Sequence, residues 1–143
     1  MNNVKISQKA LKRAERWYQG AKRAFEDERW DDVIYSSQMS VEQAMKAVLI
    51  LYGIEYPKIH DISPIYFDLG NADIPQWFRV KIDFHATILE QLTEKRGLSA
   101  YGYIDGVTKN SFEEDAEKYR DPVAEILADC SQLIKEFSEQ IYS

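Results

Sequence analysis

Arg96, Tyr101 and Tyr103 stand close together in the stretch RGLSAYGY. A guanidinium presents planar donors that match a phosphate, and tyrosine faces can stack on a base or sugar. That grouping could hold a phosphate-bearing ligand. It could equally be structural, with Arg96 closing the carbonyls of a helix C-terminus and the tyrosines packing a loop. Gln38, Glu42 and Lys46 form a second group, four residues apart. Glutamate before lysine at this spacing stabilises a helix by a few tenths of a kcal/mol. Gln38 falls within the apolar stripe of its helix, and a buried amide needs partners, on a neighbouring helix or on a ligand.

His60 and Asp61 precede a short predicted helix. Aspartate there can cap backbone N–H groups or fix an imidazole. His85 lies on the inward face of a long helix and reads as a core or interface histidine. Cys130 sits on the apolar stripe of the last helix and reads as an inert packing residue. Two histidines and one cysteine do not suit a Cys/His zinc site, and no glycine-rich phosphate loop carries a lysine. No cofactor is expected.

The elements that must position these groups follow from hydrophobic spacing. Ser7 is the expected cap of a first helix ending near Glu28, with Ala10, Ala14, Trp17, Ala21 and Ala24 as its stripe and Leu11, Tyr18 and Phe25 beside it. A second helix is predicted from an Asp31 N-cap to a Gly53 C-cap. Trp30, Ile34, Val41, Met45, Val48 and Tyr52 line one face, with small Ser37 and Ala44 between them, and Tyr35, Met39 and Ile50 roughly opposite. The short connection makes these two helices antiparallel.

Pro57 interrupts the chain, and Ser63-Pro64 starts a short helix to about Leu69, ended by Gly70-Asn71. Asp73 and Pro75 open a longer one to about Lys95, with Phe78, Ile82, His85, Leu89 and Leu92 inward and Trp77 and Ile88 beside them. Residues 96–110 read as a long loop, and long ordered loops are often functional. Ser111 with Glu114 forms a capping box for a last helix whose stripe is Ala116, Tyr119, Val123, Ile126, Cys130, Leu133, Phe137 and Ile141. Pro122 implies a kink or a brief restart. The expected fold is therefore all-α: one domain over 1–143, an antiparallel up-and-down bundle of four long helices plus one short helix.

Composition sets outer limits. The chain has 143 residues, 45% hydrophobic and 29% charged, which fits one globular domain with a real core. No apolar run approaches the ~20 residues that span a bilayer, and the basic start lacks the apolar core of a signal peptide. A cytoplasmic protein with no membrane partner is expected, and the lone cysteine agrees. The net charge of −6 argues against broad capture of nucleic acid, so DNA is not an expected partner. Residues 1–25 are basic and residues 111–143 acidic. Either the basic stripe meets phosphates or an acidic partner, or the first and last helices are neighbours.

Together these pieces resemble a HEPN domain, over nearly the whole chain. Gln38-x-x-x-Glu42-x-x-x-Lys46-Ala47-Val48-Leu49 is similar to that family's Q-x-x-x-E-x-x-x-K-A-x-L helix. Pro57-Lys58-Ile59-His60-Asp61-Ile62 resembles the P-x-T-H-D-L that follows it. Many members are metal-independent ribonucleases with an R-x(4–6)-H motif, often R-x4-H-x-Y. Here Arg96 and Tyr103 match, and Tyr101 stands in the histidine's place. Tyrosine, with a pKa near ~10, is a poor base at neutral pH. The resemblance thus implies a nucleotide-, RNA- or partner-binding module, catalytically impaired, with a metal-independent RNA-cleaving toxin as the alternative. It also implies a homodimer with two Arg96 stretches together, and a minimal nucleotidyltransferase partner in a toxin–antitoxin-like pair.

Overall fold

The computed structural model describes residues 3–142, the side chains of 141 and 142 excepted. Ile141 of the expected last stripe therefore lies outside the described side chains. Helix α1 (Asn3–Glu26) begins before Ser7, which is not a cap. Its hydroxyl is buried and donates to the Ala47 carbonyl of α2 (Trp30–Leu51) at 2.7 Å. A small residue with a satisfied hydroxyl lets the two backbones come close. Ala14, Ala21 and Ala24 of α1 and Ala44 and Ala47 of α2 are buried as well.

α1 closes on a left-handed residue, Glu28, at φ 58°. The Glu28 N–H bonds Phe25 O and the Arg29 N–H bonds Ala24 O, so the last carbonyls find donors. α2 ends the same way on Gly53, at φ 68°, where a glycine pays no steric penalty. At its start Arg29 occupies the N-cap, and Asp31 instead lies in the first turn, accepting the Asp32 N–H at 2.9 Å. The expected Asp31 cap is thus displaced by the turn that closes α1.

α2 is the central helix and packs on α1, α5 and α6. Ile34, Val41, Met45, Val48 and Leu49 are fully buried, and each such side chain contributes about 1.5–3 kcal/mol through burial. Asp61 accepts from the backbone N–H of Ser63 at 3.0 Å and from its hydroxyl. It thereby starts the short α3 (Ser63–Tyr66), which continues as a 3-10 turn, Phe67–Asn71. Asp61, not Ser63, supplies the capping oxygen.

The next expected helix is two pieces, α4 (Gln76–Arg79) and α5 (Ile82–Tyr101). The chain tightens between them, with the Lys81 N–H bonded to Phe78 O, while Arg79 donates to the carbonyls of Gly70 and Ala72. α5 does not stop at Lys95. Its apolar-to-polar pattern fades there, but the backbone bonding runs on to Tyr101 and then into a 3-10 turn, Gly102–Asp105. The predicted 96–110 loop is therefore mostly helical.

A second 3-10 turn, Lys109–Phe112, leads into α6 (Glu113–Tyr142). The capping box belongs to Thr108 and Ser111, so Ser111 is its third position and not the cap. α6 runs through Pro122 as one helix, without a restart. The contacts Trp17–Tyr35, Tyr35–Arg96, Gln91–Tyr119 and Gln8–Ser138 give α1, α2, α5 and α6 alternating directions. This is an up-and-down bundle of four long helices. α1 and α6 are neighbours, and Arg120 sits 4.5 Å over the Phe25 ring.

Candidate functional site

Arg96 lies in the interior of α5, not at its end. Its guanidinium stacks on Tyr35 of α2 at 4.6 Å, and Nη2 donates to the Tyr35 hydroxyl at 3.0 Å. Nε of Arg96 is buried without a hydrogen-bond partner among the described residues. On the other side of Tyr35 stands Trp17 of α1, ring to ring at 6.0 Å, and its indole N–H is also buried and unpartnered. Two unsatisfied donors thus flank one tyrosine, an arrangement that an incoming acceptor would relieve.

One turn along α2, the fully buried Gln38 donates to Glu42 at 2.9 Å and, at 3.4 Å, to Thr93 of α5. Its amide oxygen has no partner among the described residues. Glu42 is the most heavily bonded side chain of the group. One carboxylate oxygen meets Gln38 and Nδ1 of His60, the latter at 2.8 Å; the other meets Lys46 at 2.9 Å. Lys46 also lies 5.4 Å over the Tyr56 ring.

Steps of three and four residues place Tyr35, Gln38, Glu42 and Lys46 on one face of α2. From Tyr35 to Glu42 the helix rises about 10 Å. Arg96 and Thr93 face this row from α5, three residues apart on the same side. The result is a polar seam with a guanidinium at one end and an imidazole at the other. His60 and the Gln38–Glu42–Lys46 row, separate groups in sequence, are brought together here.

Tyr101 and Tyr103 take a different position. They are 64% and 72% exposed, beside exposed Leu98 and Ile104, and no described contact joins them to Arg96 in the single chain. Asp61 is used in capping α3 and bonds no imidazole among its described contacts. Sequence reasoning missed Tyr35, Thr93 and Trp17. Tyr35 was placed opposite the apolar stripe, yet its spacing to Gln38 and Glu42 was the signal that could have found it.

His85 is fully buried, as its inward position predicts. Nδ1 faces the Tyr66 hydroxyl at 2.8 Å and Nε2 faces Asp129 at 2.9 Å. Lys81 bonds Glu125 and Asp129. Burial pushes His85 below the usual histidine range, and the Asp129 carboxylate opposes this without overcoming it. Burial raises Asp129, but its bonds to His85 and Lys81 prevail and hold it below the ordinary value. Burial pushes the Tyr66 phenol well up and the Cys130 thiol strongly up, so Cys130 is a poor nucleophile. This network pins α3 to α5 and α6.

Two clefts lie elsewhere. One, of about 170 Å³, opens between α1, α2 and α6 beside Tyr18, Phe25 and Arg120. The other, of about 380 Å³, lies beside Tyr52, Pro75 and Phe137. Neither is lined by Arg96 or His60; the seam follows a helix groove instead. Among the described residues, no helix is long and apolar enough to cross a membrane.

The protein is thus an all-α bundle of four long helices in alternating directions, with a guanidinium and an imidazole along the α2–α5 seam. The HEPN domain family matches residues 7–135, and the chain belongs to that family. A protein of Methanocaldococcus jannaschii named "Putative toxin MJ1304" is 28% identical over 146 residues, covering 98% of this chain and 93% of that protein. No solved structure matches.

Proposed function

We propose that this protein is a cytoplasmic HEPN-type module that binds RNA or a nucleotide along the α2–α5 seam, as the toxin-like half of a two-protein pair. The observation that carries the reading is Arg96, stacked on Tyr35 with a buried, unpaired Nε beside the equally unpaired indole of Trp17. Paired planar donors with an aromatic neighbour suit a phosphate and its sugar or base. The toxin-like role takes its support from the similarity to the archaeal protein named above. The pairing with a minimal nucleotidyltransferase rests on the family resemblance.

The exposed Leu98, Tyr101, Tyr103 and Ile104 support a homodimer through the end of α5, which would cover them and bring two seams close. Tyr101 leaves the motif position without a base suited to neutral pH. The test is calorimetric titration of a short oligoribonucleotide into wild type and Arg96→Ala. The variant should lose about tenfold or more in affinity, the size of a charge-assisted hydrogen bond, while staying folded with only the modest stability loss expected from removing its contact with Tyr35. Equal affinity overturns the reading.

A further inference from the structure

We propose that the cleft between α1, α2 and α6 binds a small aromatic monocarboxylate, with the ring on its apolar floor and the carboxylate against Lys22 and Arg120. The site lies off the α2–α5 seam and does not depend on the reading made there.

The cleft exists because small side chains meet where three helices converge. Ala21 of α1 and Ala116 of α6 are buried and line it, and the buried Val33 of α2 and Val123 of α6 complete its floor. Close-packed interiors leave few voids larger than a water molecule. The gap among these side chains, about 170 Å³, is well above that size. An apolar cavity of about 150 Å³ holds one benzene ring, so a ring with a short acidic head fits. Pockets for drug-sized ligands begin at roughly 300 Å³. A nucleotide, with base, sugar and phosphate, is too large to enter.

The rim carries the charge. Lys22 of α1 and Arg120 of α6 also line the cleft, and both are exposed. Nζ of Lys22 lies 4.9 Å from the centre of the Tyr18 ring, and the Arg120 guanidinium 4.5 Å from that of Phe25. Both rings belong to the cleft wall, so each cation is held at its edge. Among the described residues, neither cation is within ion-pair distance of a carboxylate. Glu26 lines the same rim and pairs with neither.

Snorkelling over apolar surface would explain either cation alone. It does not explain an unfilled floor beneath two of them, in a chain of net charge −6. The complement of such a cleft is an anion with a flat apolar body. A guanidinium offers a carboxylate two parallel donors and an ammonium adds a point charge. Tyr18 and Phe25 supply aromatic neighbours for the ring.

The experiment titrates benzoate into the full chain and follows its backbone amide resonances. Saturable shifts should gather at Ala21, Val33, Ala116 and Val123, with a Kd on the order of 1 mM, as so small a ligand allows. Benzyl alcohol, a neutral analogue of similar size, should bind about tenfold more weakly through loss of the charge-assisted contact. Acetate and inorganic phosphate carry charge without the ring and should not saturate the cleft at the same concentration. Lys22→Gln and Arg120→Gln change exposed positions, so both should fold, and each should weaken benzoate several-fold more than benzyl alcohol. Equal affinity for benzoate and benzyl alcohol overturns the proposal, as does equally strong competition by phosphate. Unchanged benzoate affinity in the Lys22→Gln, Arg120→Gln double variant, or no saturable shift in the cleft, overturns it too.

Discussion

Nδ1 of His60 lies 2.8 Å from Oε1 of Glu42, which joins a half-exposed imidazole to a carboxylate withdrawn from solvent. The same carboxylate holds Lys46, whose side chain is only 12% exposed. Removing one partner of such a pair leaves the other charge poorly solvated. Glu42→Leu should therefore destabilise the bundle by about 3 kcal/mol, and adding Lys46→Met should restore a large part of it. Urea unfolding of the three proteins measures this. A double variant no more stable than the single one would count against the coupling.

Tyr35 links Arg96 to α2 through both its ring and its hydroxyl. Tyr35→Phe keeps the stacking and removes the acceptor. Stability should fall by about 1 kcal/mol, and oligoribonucleotide affinity should drop several-fold because the guanidinium loses its orientation. Fluorescence anisotropy against RNA reads the second effect.

Acid should weaken the fold in two stages. The folded-state value of His85 is lowered by burial. Above ~6.5, the unfolded value, His85 is neutral in both states and its stabilising bonds are fully present. Below that value the unfolded chain takes up a proton first, so stability falls until the lowered folded value is passed. Asp129 is also lowered, so it adds a second loss below the unfolded value of ~3.9, ending once its folded value is passed. Thermal melts from pH 8 to 3 should show the first decline in wild type and a much smaller one in His85→Gln. Tyr66→Phe, which leaves Nδ1 of His85 without its partner, should cost about 1–3 kcal/mol at neutral pH.

Glu28 sits at φ 58° in the turn that closes α1. A side chain there costs about 1–2 kcal/mol relative to glycine, and the extra freedom of an unfolded glycine offsets part of it. Glu28→Gly should stabilise by about 0.5–1 kcal/mol, seen as a raised melting temperature. A lowered one would show that the Glu28 side chain matters more than its backbone.

Gly102 follows α5, where a Cβ would stand 2.8 Å from Cβ of Val107. The Val107 N–H bonds the Gly102 carbonyl at 2.9 Å, so neither residue can withdraw easily. Gly102→Ala should destabilise by about 1–3 kcal/mol, and Val107→Gly in the same chain, which removes that Cβ, should relieve much of the clash. A double-mutant cycle in urea gives the coupling directly.

The stripes of α2 and α6 were legible because one period of apolar residues runs along each helix. Ile34, Val41, Met45, Ile126, Cys130 and Leu133 are all buried where that period puts them. Helix ends were less legible. Ser7, Asp31 and Ser111 each have the chemistry of a cap, but Ser7 is taken by the α1–α2 contact, Asp31 by the turn before it, and Ser111 by Thr108. A capping residue signals a possible start; neighbouring contacts choose among the possible ones.

The end of α5 was misjudged for a related reason. Gly97 and the tyrosines suggested a loop, yet Arg96 on Tyr35 and the turn at Gly102 accompany a helix that runs through Tyr101. Local propensity is a weak prior against such tertiary contacts.

By itself the sequence determined the helical class, the central second helix and the row of Gln38, Glu42 and Lys46. These follow from periodicity, which depends only on neighbours along the chain. Tertiary structure alone decided that His60 meets Glu42 and that Tyr35 carries Arg96. Those pairs are separated by 18 and 61 residues, and no local spacing encodes them. They come together because a buried carboxylate and a guanidinium had to find partners once the helices closed around them.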